Sequence, residues 1–234
     1  MPLPTRTRQI KKHPAPDAFD PLSLYHVLRE RYGPSGWWPG ESPLEIAVGA
    51  VLTQNTAWTN VEKAIANLKA SSLLDLMALH KIETSELASL IRPSGYYNIK
   101  SLRLKNLLDA IVHETQGDMD SFLRMQLEPM RKFLLAVNGI GKETADSICC
   151  YAAGKTVFVV DAYTKRILSR HGIIDAHVDY DHIQRLFEKG LPLDLRIYKD
   201  LHAYIVFVGK EYCRPGNPRC DSCPLRDWRA QDAN

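Results

Sequence analysis

Gly139 and Gly141 stand one residue apart in VNGIGKETAD (Val137 to Asp146), followed at once by Lys142 and Glu143. Glycines at this spacing let a backbone turn sharply and aim successive N–H groups at one point, beside the positive end of a following helix. Such a nest suits a phosphate oxygen and reads no base. A plain helix–helix turn would leave the same trace, so both readings stand at this level. Asp161 opens DAYTKRIL after an apolar FVV, with the type and place of a helix N-cap. Trp37 and Trp38 lie in GWWPG, a loop bounded by glycine and proline, and Trp58 closes TQNTAW. Cys213, Cys220 and Cys223 form C-x6-C-x2-C, a spacing compatible with a metal site, although no histidine lies nearby to complete a zinc set.

Helices must position these residues. SPLEIAVGAVLTQNT begins with Ser42, has Pro43 at the first helical place and Glu45 three residues on, a capping-box start. TNVEKAIANLKA, YNIKSLRLKNLLDAIVHET, PMRKFLLAV, KETADSICCYAAG, DAYTKRILSRHG, YDHIQRLFEKG and RIYKDLHAYIVFVGKEY repeat apolar residues at three- and four-residue spacing. Only KTVFVV reads as a strand, and it has no partner for a sheet. The expectation is an all-α chain of ten or more short helices.

The 234 residues carry a net charge of +3, which permits nucleic-acid binding without arguing for it. No apolar run approaches the roughly 18–20 residues that span a bilayer, so no membrane partner is expected. TRTRQIKKHPAP, residues 5–16, reads as a polar, basic, mobile arm with no secretory core. Five cysteines without a signal peptide point to a reducing cytoplasm.

A helix, NGIGKETAD, a short apolar run and then VDAYTKR together resemble the helix-hairpin-helix DNA glycosylases of the endonuclease III family. LTQNT resembles that family's helix-end loop, and the three C-terminal cysteines resemble its iron–sulfur loop; the match runs in order from about Leu22 to Trp228. The resemblance implies two helical lobes with a DNA-binding cleft, one lobe at residues 35–146 and ending in the hairpin, the other at 1–34 plus 147–234. It implies a monomer acting on double-stranded DNA, with a damaged nucleotide flipped out of the stack. In a bacterium the enzyme would associate with the nucleoid.

By the same resemblance Asp161 is the catalytic carboxylate. Breaking an N-glycosidic bond builds positive charge on the sugar, which a fixed anion stabilises. Family members that also cut the strand carry a lysine two residues after the second hairpin glycine; here that residue is Glu143, which cannot form a Schiff base. Lys142 lies one helical step away, about 100° around the axis, and is expected to face a phosphate. The chain is closest to the branch that excises 3-methyladenine. That branch places a base pocket at Trp38, Pro39 and Trp58, with Trp37 beside them and Glu143 as a negative wall. Trp38 and Trp58 would sandwich a cationic purine through stacking and cation–π attraction. Gln54 would fill the gap left by the flipped nucleotide; Asn55, Gly139, Gly141 and Lys142 complete the DNA-binding set. A bifunctional glycosylase–lyase and a non-catalytic DNA-binding module are the rival readings.

The family's [4Fe–4S] cluster takes four thiolates. Position 229, where the fourth would fall, is arginine, and Cys149 and Cys150 are expected in the core. A cluster with another fourth ligand, a different metal and a metal-free loop all remain open, with the metal-free or degenerate loop favoured.

Overall fold

The computed structural model describes residues 19–228. The basic segment 5–16 and Arg229 lie outside the described residues. In chain order the α-helices are α1 (Pro21–Tyr32), α2 (Pro43–Leu52), α3 (Trp58–Ala70), α4 (Leu76–Lys81), α5 (Thr84–Leu90) and α6 (Tyr97–Thr115). There follow α7 (Met119–Arg124), α8 (Leu127–Ala136), α9 (Lys142–Ser147), α10 (Ala162–Arg170), α11 (Tyr180–Gly190) and α12 (Leu195–Glu211). A wider helical turn, Ile148–Ala152, continues α9. Among the described residues there is no strand: KTVFVV has no regular secondary structure, with Val157 to Val160 buried. The chain is all-α. No described helix is long and apolar enough to cross a membrane.

Two compact units form. Ser35–Val159 and Pro192–Ala203 make the first, so α12 begins there; residues 19–34, Val160–Leu191 and 204–228 make the second. Residues 147–159, expected in the second lobe, cluster with the first because Ile148, Cys149, Cys150 and Tyr151 belong to its core.

In the first unit α2 is buried on almost every side, through Leu44, Ala47, Val48, Val51 and Leu52. Its sequence is therefore a near-continuous apolar run rather than an amphipathic stripe. Ser42 caps it by accepting from the Glu45 N–H at 3.1 Å, and Glu45 in turn accepts from the Glu41 N–H at 3.1 Å. Around α2 pack Leu104, Leu107, Leu108 and Ile111 of α6 and Val61, Ala64, Ile65 and Leu68 of α3. Each fully buried leucine contributes on the order of 1.5–3 kcal/mol. In the second unit Leu24 and Leu28 of α1 are buried, as are Ile183 and Phe187 of α11. Phe19 meets the edges of Phe187 and Trp228, with centroids at 5.1 and 6.3 Å.

Candidate functional site

The hairpin joins α8 to α9 and is braced from three directions. Arg131 of α8 grips the fully buried Asp146 of α9 through two hydrogen bonds, Nε to Oδ1 at 2.6 Å and Nη2 to Oδ2 at 3.2 Å. Asn106 of α6 donates to the Asn138 carbonyl at 3.1 Å. The third brace is Arg103, whose side chain lies across Gly139. A Cβ at Gly139 would come within 2.3 Å of Arg103 Cγ, and the backbone there has φ +93°. Both facts require glycine. Gly141 differs: its φ is −90° and a Cβ would meet nothing within 4 Å. The two glycines that look equivalent in the sequence have different jobs.

The loop after α2 is tied to this hairpin by Gln54. Its carboxamide accepts from Arg103 Nη1 at 2.5 Å and donates to the Gly139 carbonyl at 3.2 Å and to Thr144 Oγ1 at 3.0 Å. These three bonds hold the Gln54 amide against the hairpin. Asn55, next along, is exposed with φ +51° and forms the loop's tip. The turn Arg92–Ser94 leads to a second tip, Tyr96, which has φ +46° and is 64% exposed. Sequence reasoning did not single out Tyr96. The only hint is an aromatic pair directly after Gly95.

Between the two tips lies Lys100, 1% exposed. Its Nζ donates to the Leu52 carbonyl, Thr56 Oγ1 and the Ser94 carbonyl, each at 2.7 Å. Burial and then the nearby Arg103 push its pKa down to about 8, which still leaves an ammonium at neutral pH.

Trp37, Trp38 and Trp58 do come together, in the first unit. Ring centroids lie 5.8 Å apart for Trp37–Trp38, 5.9 Å for Trp37–Trp58 and 5.2 Å for Trp38–Trp58. Tyr151 joins them, 5.2 Å from Trp38, and shares a 2.6 Å hydrogen bond with His202 Nδ1. Tyr151 escaped notice in the sequence because it falls in periodic apolar helix, where an aromatic reads as core. The tryptophan loop is pinned by Ser35, whose N–H and hydroxyl donate to Asp200 Oδ1 at 3.1 and 2.5 Å; the Trp37 N–H donates to Ser35 Oγ at 3.2 Å. The expected sandwich is not present. Trp38 and Trp58 meet edge to face at 89°, whereas a base held between two rings needs them parallel and about 7 Å apart, twice a carbon contact of ~3.5 Å. In this arrangement a base cannot lie flat between Trp38 and Trp58. Pro39 is exposed on the same loop, and Lys142 and Glu143 are exposed on the first turn of α9.

Asp161 belongs to the second unit. It caps α10: Oδ1 accepts from the Thr164 N–H at 2.7 Å and from Thr164 Oγ1 at 2.8 Å, while the Asp161 N–H donates back to Thr164 Oγ1 at 3.4 Å. Asp161 is 9% exposed, and its carboxylate sits at the positive end of a helix.

The cysteine loop is organised by arginines of α10. Arg166 donates to the carbonyls of Cys213 and Gly209 at 2.7 and 3.1 Å. Arg170 donates to the carbonyls of Arg214 and Pro215, both at 2.7 Å, and to Cys213 Sγ at 3.3 Å. Burial raises the Cys223 thiol pKa, partly offset by the hydrogen bond it accepts from the Leu225 N–H. Burial pushes Cys149 and Cys150 up to about 12. Among the described residues no group of three or more His, Cys, Asp or Glu side chains is placed to hold a metal ion. With arginine at position 229, the three thiols of this loop do not make up a four-thiolate set.

A family profile described as HhH-GPD superfamily base excision DNA repair protein matches residues 48–193. The chain is 47% identical to "Putative DNA repair glycosylase MJ1434" of Methanocaldococcus jannaschii, over 88% of this chain and 93% of that one. It is similar to the structure of H. pylori 3-methyladenine DNA glycosylase (MagIII) bound to 1,N6-ethenoadenine, with 33% identity and a TM-score of 0.73. That similarity covers 82% of this chain and 98% of the other. A non-covalent endonuclease III–DNA complex shares the fold at 20% identity, with a TM-score of 0.74 over 87% of this chain and 91% of that one. With its glycine hairpin followed by the helix-capping Asp161, the chain belongs to the HhH-GPD superfamily of base excision DNA repair proteins and is a DNA glycosylase.

Proposed function

We propose that the protein hydrolyses the N-glycosidic bond of positively charged alkylated purines in duplex DNA, 3-methyladenine first among them, without cutting the strand. The aromatic cluster of Trp37, Trp38, Trp58 and Tyr151 carries this reading. Four electron-rich rings in one place favour a flat cation over a neutral base by cation–π attraction, worth about 0.5–2 kcal/mol. The 33% identical H. pylori structure supports the same substrate class. A cationic base leaves without being protonated, so Asp161 need only stabilise the developing sugar cation and orient water. No separate general acid is required.

In this reading the hairpin holds the backbone: its amides and Lys142 take phosphate oxygens irrespective of sequence. Asn55 and Tyr96, the two exposed tips, enter the duplex at the opened site, and Gln54 fixes the tip loop to the hairpin. Replacing Gly139 with alanine should weaken binding to damaged and undamaged duplexes equally and cost on the order of 1–3 kcal/mol of stability, since the strained φ and Arg103 both oppose a Cβ. In Gly141→Ala the fold should melt as the parent does, so any lost affinity reports the DNA contact itself. Equilibrium binding beside thermal melting separates the two; a lesion-selective loss in Gly139→Ala would contradict the backbone role.

Glu143, standing where a lyase carries its amine, makes the enzyme monofunctional. Borohydride added during turnover should trap no covalent protein–DNA adduct, while heat or alkali should reveal abasic sites in methylated DNA. An adduct that disappears in Lys142→Ala would make the neighbouring lysine a nucleophile and the enzyme a lyase.

A further inference from the structure

We infer that Lys100 is a positioning residue for duplex opening: its buried ammonium fastens the Asn55 loop to the Tyr96 turn and so sets the spacing between the two tips. The inference rests on the DNA-opening role proposed above for those tips. An ammonium has three donors, and here all three are used, one on each side of the junction and one on the helix that leads into it. The Leu52 carbonyl ends α2, where the helix dipole favours a cation. Thr56 Oγ1 lies on the loop directly after Asn55, and the Ser94 carbonyl lies two residues before Tyr96. Thr56 also donates to the Ser94 carbonyl at 2.5 Å, closing a small ring of bonds around Nζ.

Two features separate this arrangement from ordinary core packing. First, the side chain that fills the space is a cation, although methionine would fill a similar volume without the cost of burying charge. Second, the residues it joins flank two of the four left-handed non-glycine residues among those described: exposed Asn55, and Tyr96, the N-cap of α6. Residues rarely adopt that conformation unless the surroundings enforce it. Lys100 reaches no substrate. It acts through the two loops.

The test compares wild type with Lys100→Met and with Thr56→Val, a milder change that removes one partner and leaves the ammonium in place. Each is measured on the same lesion in two settings, fully paired and displayed in a bulge where no opening is needed. Fluorescence of 2-aminopurine beside the lesion reports opening on its own. Lys100→Met should lose about ten-fold or more in release from the paired duplex, the effect of losing charge-assisted bonds, and stay within about two-fold on the bulge. Thr56→Val should show the same pattern more weakly, and the 2-aminopurine signal should fall in step. Equal losses on both substrates, or an unchanged 2-aminopurine signal, would reduce Lys100 to a structural residue. Should Lys100→Met fail to fold, the paired-to-bulged ratio of Thr56→Val decides alone. If wild type opens the duplex but releases no 3-methyladenine, the substrate assignment fails while the positioning role is still read from the fluorescence.

Discussion

Replacing Asp161 with asparagine is expected to slow base release about a hundred-fold or more while leaving the protein as stable as before. The size follows from removing one preorganised charge aimed at a developing cation. The unchanged stability follows from the capping geometry. Asparagine caps a helix as well as aspartate does, and its carbonyl oxygen can take the place of Oδ1 in accepting from the Thr164 N–H and hydroxyl. Asp161→Ala is the informative companion: it should lose the chemistry and, in addition, about 1 kcal/mol of cap. Single-turnover release, duplex affinity and thermal melting on the two variants separate catalysis from folding. Turnover retained in Asp161→Asn would remove Asp161 from the chemistry altogether and leave it a cap.

Removing the Trp58 indole should cost about ten- to a hundred-fold in release of 3-methyladenine, the ~1–3 kcal/mol attached to stacking one base on an aromatic. Trp58 suits this test better than Trp38. Trp38 lies against three other rings, and its Nε1 would be 3.5 Å from a Cβ at Gly49, so its loss would disturb the cluster. Trp58 stands at the start of α3 with its indole N–H donating to Glu62 at 2.9 Å, a partner on the same helix. The edge-on contact with Trp38 leaves no parallel pair of rings to sandwich a base, so Trp58→Phe should recover part of the rate by restoring a smaller stacking face. The loss should be greater for cationic than for neutral lesions in otherwise identical duplexes. A variant equally impaired on oxidised pyrimidines, or a wild type that removes an uncharged base faster, would overturn the cation pocket.

Local grammar in the sequence announces much of this architecture. Ser42, Pro43 and Glu45 mark the start of α2, and apolar spacing gives α6 and α11 to the residue. Asp161 is a cap because its type and place say so. What escapes the sequence depends on partners far along the chain. Gly139 is obligatory partly because Arg103 crosses it, while Gly141 has open space; nothing in NGIG distinguishes them. Nothing in TQNT shows that Arg103, Gly139 and Thr144 bond the Gln54 amide. Lys100 occupies a helical position that periodicity cannot mark as a buried cation. KTVFVV illustrates the reverse ambiguity, since a short apolar run is equally a strand or a buried lead-in to a capped helix.

The pin between Ser35 and Asp200 also bears on the order of events during synthesis. The tryptophan loop emerges early, yet the aspartate that holds it, and His202 behind Tyr151, are added only after the intervening stretch 160–191. At about 5–20 residues per second the 44 residues from 160 to 203 take roughly 2–9 s to add. For that interval a nascent chain can have its helical core and its hairpin but not the clasp on its aromatic surface. The ribosome therefore delivers the aromatic surface and the hairpin before the residues that clasp that surface.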